Sequence, residues 1–202
     1  MDSSLTGTLD ARYARLSHYL TAVPGGLKAY PECLARRGVV EAVLNASPRF
    51  EDPAPPLVLE LFTLPRVGWI PEAVFNATML AMADRAGWSD AELFAWHRSL
   101  NRGLFRGPVY RAIMTFLNPL LLVKQGANRW QVFHSGTELE VRAEGERGAV
   151  GILRFPPRLF SPLLLRVYAE AFGAALETAR SGRPSVDLVE AGESSARFAA
   201  RW

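Results

Sequence analysis

Residues 130–155 read WQVFHSGTELEVRAEGERGAVGILRF, and the spacing of their apolar positions decides the fold class. Apolar side chains alternate with polar neighbours along this stretch, at Trp130, Val132, Leu139 and Val141. A period of two is typical of strands that bury one face, and turn residues at 135–137 and 144–148 separate the alternating pieces. The stretch therefore predicts three consecutive short strands in an antiparallel meander.

A long amphipathic helix is predicted after the meander. The Ser161-Pro162 pair has the residue types of a helix cap and a first helical position, and apolar residues then recur with helical spacing as far as Ser181-Gly182. Two more alternating segments, 185–189 and 196–202, are joined by a short turn and predict a hairpin. The predicted order of this half is β-β-β-α-β-β.

The residues before 124 show helical spacing instead. The pattern predicts a short helix over 9–20, a second helix that begins at Pro31 and ends near residue 47, and a proline-rich connection over 48–56. The apolar run 57–64 fits a strand or a buried helix equally well, because it is too short for its period to be read.

Two further helices are recognised by their ends. Pro71 opens a helix with an apolar stripe that Gly87 stops. Ser89 and Glu92 have the spacing of a capping box, which predicts a helix start at this point. Glycines at 103 and 107 interrupt the second helix, and another begins near Val109.

Together these elements predict an α+β fold. A helical N-terminal part over about 9–123 is followed, over about 129–202, by a four- to five-stranded antiparallel sheet packed on a long helix. The length of 202 residues fits one domain that spans 1–202. Hydrophobic residues make up 49% of the chain and charged residues 21%, which excludes a disordered protein.

The cellular compartment is predicted from the number of cysteines and from the length of the longest apolar stretch. Cys33 is the single cysteine, so the chain has no internal disulfide and no cysteine-based zinc site. The apolar stretch 116–123 is far shorter than the roughly 20 residues that span a bilayer. The N-terminus lacks the basic and apolar regions of a secretory signal. We expect a cytoplasmic protein without a membrane span.

No catalytic motif is found in the sequence. It contains no phosphate loop, nucleophile elbow, zinc-protease motif or dinucleotide-binding glycine pattern. His134, Glu138 and Glu140 lie near one predicted turn and are candidate acids and bases, but no partner for them is evident. The sequence favours a protein without enzymatic activity, and an enzyme stays an open alternative.

Positive charge is concentrated in the middle of the chain. Residues 93–137 contain no aspartate or glutamate but contain Arg98, Arg102, Arg106, Arg111, Lys124 and Arg129. The first three are spaced by four, so on a continuous helix they form a basic surface that Arg111 extends. This surface could bind an acidic protein or a ligand carboxylate, or it could be a solvated face whose arginines pair with acids elsewhere. Nucleic acid is disfavoured, because no nucleic-acid-binding motif accompanies the small excess of charge.

Aromatic and methionine side chains cluster in the same middle helices. Most of them are expected to be core, and a hydrophobic pocket between the helices and the sheet is the alternative that we retain. The candidate ligand-binding residues are Trp69, Phe75, Met79, Phe94, Trp96, His97, Tyr110 and Met114.

His97 is the candidate axial ligand if the protein binds haem. One histidine is enough for haem, and this one lies among aromatic residues on a predicted helix. The competing interpretation is a core histidine whose ring nitrogens are satisfied by hydrogen bonds. No metal site is predicted otherwise, since the three histidines lack a metal-binding spacing.

The order of elements resembles a family of uncharacterised myxobacterial paralogues. The matching residues are Tyr30-Pro31, Asn118-Pro119, Trp130, the helical segment 168–177 and the terminal ARFAARW at 196–202. That family is similar to the 4-vinyl-reductase-type (4VR) small-molecule-binding domain and to the haem nitric-oxide-binding (H-NOX-like) domain. The resemblance implies a sensory or ligand-binding role without turnover.

The resemblance also bears on haem. His97 precedes the sheet, as the proximal histidine does in that group. The Tyr-x-Ser-x-Arg motif that holds the haem propionates is missing, and Tyr110 to Met114 read YRAIM instead. This difference argues against haem, so no cofactor is expected.

The resulting hypothesis is a non-enzymatic ligand-binding or signalling module with a hydrophobic pocket and a basic rim. Its ligand is expected to be a hydrophobic or acidic small molecule. The alternatives are a haem-based gas sensor that uses His97, and an adaptor that docks an acidic protein without a small-molecule ligand. A homodimer is left open.

Overall fold

The computed structural model describes residues 9, 11–36, 45, 54–63, 68–107, 119–179 and 184–202. Within them lie six α-helices: α1 (Ala14–Ala22), α2 (Pro56–Phe62), α3 (Glu72–Arg85), α4 (Asp90–Arg106), α5 (Pro119–Phe133) and α6 (Pro162–Thr178). Single turns of 3₁₀-helix precede and follow α1. The helix predicted over 9–20 is confirmed, and it runs slightly later in the chain.

The strands form two antiparallel sheets. A small sheet contains β1 (Leu34–Arg36), β2 (Trp69–Pro71) and β3 (His134–Ser135), in the order β2-β1-β3. A larger sheet contains β4 (Glu138–Ala143), β5 (Gly148–Arg154), β6 (Ser185–Ala191) and β7 (Ser195–Arg201), in the order β4-β5-β7-β6. Helix α6 contacts β6 and β7 of the larger sheet. The α+β class, the antiparallel sheet against a long helix and the closing hairpin are confirmed.

Helix α3 lies at the centre of the helical part. Every residue from Glu72 to Asp84 is buried, so the single apolar stripe predicted for this helix is too narrow. Helices α1 and α2 both pack against it. A helix covered on all sides needs small residues at many positions, and Ala73, Ala77, Ala81 and Ala83 meet that need.

The strand predicted to begin at Trp130 is wrong, because residues 130–133 are the last turn of α5. Val123 and Trp130 are seven residues apart, which is two helical turns, and both are buried. Gly126 lies between them and lets the helix approach β4: a Cβ atom there would come 2.8 Å from Cγ2 of Val141. The contact of α5 with the sheet therefore outweighs the alternating pattern of the sequence. As a result, the larger sheet has two strands before α6 rather than three.

The helix predicted to begin at Pro31 is wrong at its start, over residues 31–36. Leu34–Arg36 is β1, the middle strand of the small sheet. Its backbone pairs with β2 on one side and β3 on the other, and both partners are distant in sequence. Sheet pairing of this kind satisfies the backbone groups without any helical turn. Of the rest of that predicted helix, the structure describes residue 45, which is helical.

Several local signals are confirmed. Ser89 and Glu92 make the reciprocal hydrogen bonds of a capping box, and Ser161 caps α6 with Pro162 in its first turn. The apolar run 57–64, whose sequence fitted either a strand or a buried helix, forms helix α2. Helix α4 continues through Gly103 to Arg106 rather than faltering there.

Three predictions cannot be followed in the structure. Most of the proline-rich connection 48–56, the helix from Val109 and the Ser181-Gly182 pair predicted to close α6 lie outside the described residues. None of the helices in the described part of the chain combines the length and apolar character needed to cross a bilayer.

Candidate functional site

An apolar cavity of about 310 Å³ lies between helices α4, α5 and α6 and the larger sheet. Its volume is at the lower end of the roughly 300–1,000 Å³ found for small-molecule sites. Six residues represent its walls: His97, Trp130, Tyr168, Phe172, Leu139 and Phe198.

The periodicity of each element directs its side chains into the apolar cavity. On α6, Tyr168, Phe172 and Leu176 are spaced by four and line one wall. On β4, Leu139 and Val141 are spaced by two and line the opposite wall. The rings of Phe172 and Phe198 meet edge to face with their centroids 5.2 Å apart. The walls are therefore well-ordered hydrocarbon surfaces.

The structure brings only some of the predicted ligand-binding residues to this cavity. Phe75 and His97 line it. Met79 is core, with 1% of its surface exposed, and Phe94 and Trp96 pack against the core elsewhere. On α4, the cavity is lined by His97, Asn101, Leu104 and Phe105, whereas Trp96 points about 100° around the helix from His97.

Three of the remaining predictions have different outcomes. Trp69 is 43% exposed and lines a separate polar cleft on the surface. Tyr110 and Met114 lie outside the described residues.

The predicted basic surface is neutralised where the structure describes it. Arg98 pairs with Glu170 at 2.8 Å and also with Glu177, and Arg102 pairs with Glu177. Hydrogen bonds from Arg102 and Arg98 lower the pKa of Glu177 to about 2. Arg98 and Arg102 therefore tie α4 to α6 and do not form a free basic rim. Arg106 is exposed, and Arg111 lies outside the described residues.

His97 has the environment of a satisfied core histidine. It is 3% exposed, and Nδ2 of Asn101 lies 3.2 Å from its Nδ1. Burial lowers the pKa of the imidazole to about 4, although a hydrogen bond with the backbone of Val167 acts in the opposite direction. The hydrogen bond between Asn101 and Nδ1 fixes the orientation of the ring.

A buried polar cluster that sequence reasoning missed lies on the cavity wall. Glu72 is fully buried, and its carboxylate lies 2.9 Å from Nδ1 of His134. The Tyr168 hydroxyl donates to the other oxygen of Glu72 at 2.7 Å. Burial, together with the charge of Glu72, raises the pKa of Tyr168 well above its ordinary value. We call Glu72, His134 and Tyr168 the polar cluster.

Aromatic contacts fix the imidazole of this cluster. The His134 ring stacks on Trp130 with centroids 3.8 Å apart and an interplanar angle of 14°. Tyr168 meets the same imidazole edge to face at 5.6 Å. The indole of Trp130 is itself held by a hydrogen bond to Thr137 at 2.9 Å. The position of His134 is therefore set from three directions.

His134 lies in the walls of two cavities. It lines the apolar cavity and also the polar cleft, which we call the outer cleft, next to Trp69, Thr137 and Arg154. The other acids of the enzyme hypothesis are not its partners: Glu138 lines the outer cleft, and Glu140 pairs with Arg142 and Arg154. No local motif links Glu72 to His134, since 62 positions separate them.

Metal-binding chemistry finds no support where side chains are described. In that part of the chain no three His, Cys, Asp or Glu side chains are arranged as a metal site. Cys33 is buried, and burial raises the pKa of its thiol to about 11, so it does not ionise readily.

Solved structures with the same fold are H-NOX domains. The Fe(II) unliganded H-NOX protein from K. algicida aligns with a TM-score of 0.54 at 9% identity, over 82% of this chain and 95% of that chain. A variant of the T. tengcongensis H-NOX aligns with a TM-score of 0.51 at 10% identity, over 100% and 97%. A third, from work on heme distortion in the H-NOX family, gives 0.51 at 10% identity, over 100% and 95%.

This likeness confirms the distant resemblance to H-NOX domains at the level of the fold. A shared fold does not transfer a function, because sites differ between proteins of one architecture. No protein-family model and no curated protein matches the sequence.

Proposed function

We propose that this protein is a ligand-binding sensory domain whose small-molecule ligand occupies the apolar cavity. The observation that supports the proposal is the cavity of about 310 Å³ between helices and sheet, with walls built from both halves of the fold. A ligand that contacts both halves can bias their packing, which is how binding becomes a signal.

The energetic cost of an empty cavity also favours an occupant. Lining atoms that face a void lose dispersion contacts. The cavity is partly open, so water reaches its apolar walls, and apolar surface left in water costs about 25 cal/mol per Å². A bound apolar molecule would restore many of those contacts.

The second candidate function is a haem-based gas sensor. It is favoured by the fold, because H-NOX structures with this architecture are described by their Fe(II) state and their heme. As its axial ligand, His97 would bind through Nε2, since Asn101 lies 3.2 Å from Nδ1. Among the described lining residues, Arg129 is the one permanent cation available to two propionates.

The volume of the cavity also distinguishes between the two candidate functions. The apolar cavity is about twice the roughly 150 Å³ of an engineered cavity that holds benzene. A porphyrin contains four fused pyrrole units and side chains, so it needs much more room than a ring with a short chain. The described walls fit the smaller apolar ligand better.

Absorbance and native mass spectrometry of freshly purified protein test the proposal. We expect a colourless protein that retains a small organic molecule and releases it on denaturation. A Soret band that survives gel filtration would instead establish the gas sensor, and its loss in His97→Ala would assign the iron to that residue. A colourless protein with no retained molecule, and no melting shift with hydrophobic acids and alcohols, would favour the protein-docking adaptor.

The finer family assignment belongs to the same proposal. A relation to the myxobacterial paralogues and to 4VR domains would fit a small-molecule sensor without turnover. A cytoplasmic location and an acidic protein partner remain predictions from the sequence.

A further inference from the structure

We propose that the polar cluster of Glu72, His134 and Tyr168 binds the head group of the cavity's ligand, which is an apolar molecule carrying one hydroxyl or carboxyl group. This inference rests on the proposed function, because it requires that the apolar cavity takes a ligand. It adds the chemical class of that ligand and the residues that recognise it.

The first argument is the hydrogen-bond arrangement. A carboxylate only accepts hydrogen bonds, so Glu72 accepts one from Nδ1–H of His134 and one from the hydroxyl of Tyr168. This fixes the tautomer of His134 and leaves Nε2 as its second hydrogen-bonding atom. In the described part of the chain, no hydrogen bond occupies Nε2.

The second argument is that the other polar groups on the same wall are engaged with each other. Asn101 bonds His97 through both its ring and its backbone carbonyl. Arg129 donates to Gln125 at 3.0 Å. His134 therefore offers a nitrogen to which a ligand can bond without breaking a contact within the protein, and the other N–H groups of Arg129 are further donors on this wall.

The third argument is the cost of building the polar cluster in the core. A fully buried carboxylate loses several kcal/mol of hydration, and an apolar replacement of equal volume is often neutral or stabilising. Glu72, His134 and Tyr168 come from three separate elements, α3, β3 and α6, so the cluster is not a by-product of one helix turn. Binding of a ligand head group would explain why the protein contains this costly arrangement.

The position of His134 supplies the fourth argument. It is the residue shared by the walls of the apolar cavity and the outer cleft. A molecule that enters from the cleft passes His134 before it reaches hydrocarbon. An amphipathic molecule bound at this junction would leave its oxygen at the imidazole and its apolar body among Phe172, Leu139 and Phe198.

The chemistry of Nε2 defines the head group. When neutral it accepts a hydrogen bond from a hydroxyl, and when protonated it donates to a carboxylate. Both are oxygen groups at the end of an apolar body. The cavity volume limits that body to roughly one ring with a short chain.

Calorimetry with three ligands of matched shape tests this inference. Butylbenzene has no head group, phenylbutanol has a hydroxyl and phenylbutanoate has a carboxylate. We expect the wild-type protein to bind one or both oxygenated ligands about tenfold more tightly than butylbenzene, since a hydrogen bond to a buried group contributes on this order. The oxygenated ligand that binds more tightly identifies the head group.

The variant Glu72→Leu/His134→Phe/Tyr168→Phe removes the polar cluster without leaving one member unpaired. We expect it to lose the tenfold preference and to bind butylbenzene as the wild type does. Glu193→Gln removes an exposed carboxylate that pairs with Arg158 outside the cavity walls, and it is the control that keeps the preference. Equal loss for all three ligands would overturn the inference, because it would show a purely structural role.

Nitrogen-15 NMR of the histidine side chains gives a second measurement on the wild-type chain. Phenylbutanol should shift the Nε2 resonance of His134, while buried His97 and exposed His18 serve as internal references. Binding of butylbenzene with no preference for oxygenated ligands and no shift at His134 would refute the head-group site alone. No binding of any of the three would refute the proposed function as well.

Discussion

Glu177 shows how individual residues tie helix α4 to helix α6. This carboxylate accepts hydrogen bonds from both Arg98 and Arg102, which the sequence presented as a basic surface. This arrangement matches the alternative interpretation of the sequence, in which the arginines pair with acids elsewhere in the fold. The acids lie more than 70 positions downstream, so no local pattern could have named them.

The pH dependence of stability tests this ion-pair network. The pKa of Glu177 is about 2 in the folded protein against an ordinary value of 4.5. A lowered acid pKa contributes stability that is present above the unfolded value and is lost as the pH falls through the folded value. We expect Glu177→Gln to be less stable than the wild type by about 1 kcal/mol at neutral pH, after solvent screening. The difference should shrink between about pH 4.5 and 2.

Urea denaturation at several pH values measures that difference. The matched control is Glu193→Gln, which removes an exposed pair with Arg158 and should change stability by a few tenths of a kcal/mol. A constant difference between Glu177→Gln and the wild type down to pH 2 would contradict the assigned network.

At the scale of elements, helices and strands with their own end signals were predictable. Helix α6 begins at Ser161 and Pro162, and the β6–β7 hairpin follows from alternation, so both needed only local sequence. Helix α5 and strand β1 were not predictable in this way. Trp130 and Val132 fit a strand by period, and only the packing of Gly126 on Val141 makes them helical.

The packing of α5 on β4 predicts opposite effects for two glycine substitutions. Gly126→Ala places a Cβ atom 2.8 Å from Cγ2 of Val141, and we expect a loss of about 1–3 kcal/mol of stability from overpacking. Gly103→Ala in α4 is the control, since nothing lies within 4 Å of its added Cβ. There we expect a gain of up to about 1 kcal/mol from helix propensity.

Thermal or urea unfolding of the two variants separates these effects. A gain at Gly126 equal to that at Gly103 would mean that α5 does not approach the sheet as described. The apolar cavity would then lose one of its walls.

At the scale of the whole molecule, the two halves meet around a space that the sequence suggested but whose residues it could not list. Of the eight candidate ligand-binding residues, the described structure brings Phe75 and His97 to the cavity. The polar cluster combines residues 72, 134 and 168, and only the folded chain makes them neighbours. The fold is similar to that of solved H-NOX domains, and the apolar cavity lies between its helices and the larger sheet.

A crystal structure of the protein grown with butylbenzene tests the central claim, which is that the helices and the larger sheet enclose a ligand site. The account predicts density for the aromatic ring between Trp130, Phe172 and Phe198, with α4, α5 and α6 unmoved. Side chains packed solidly through that space, with butylbenzene absent or bound only on the surface, would contradict it.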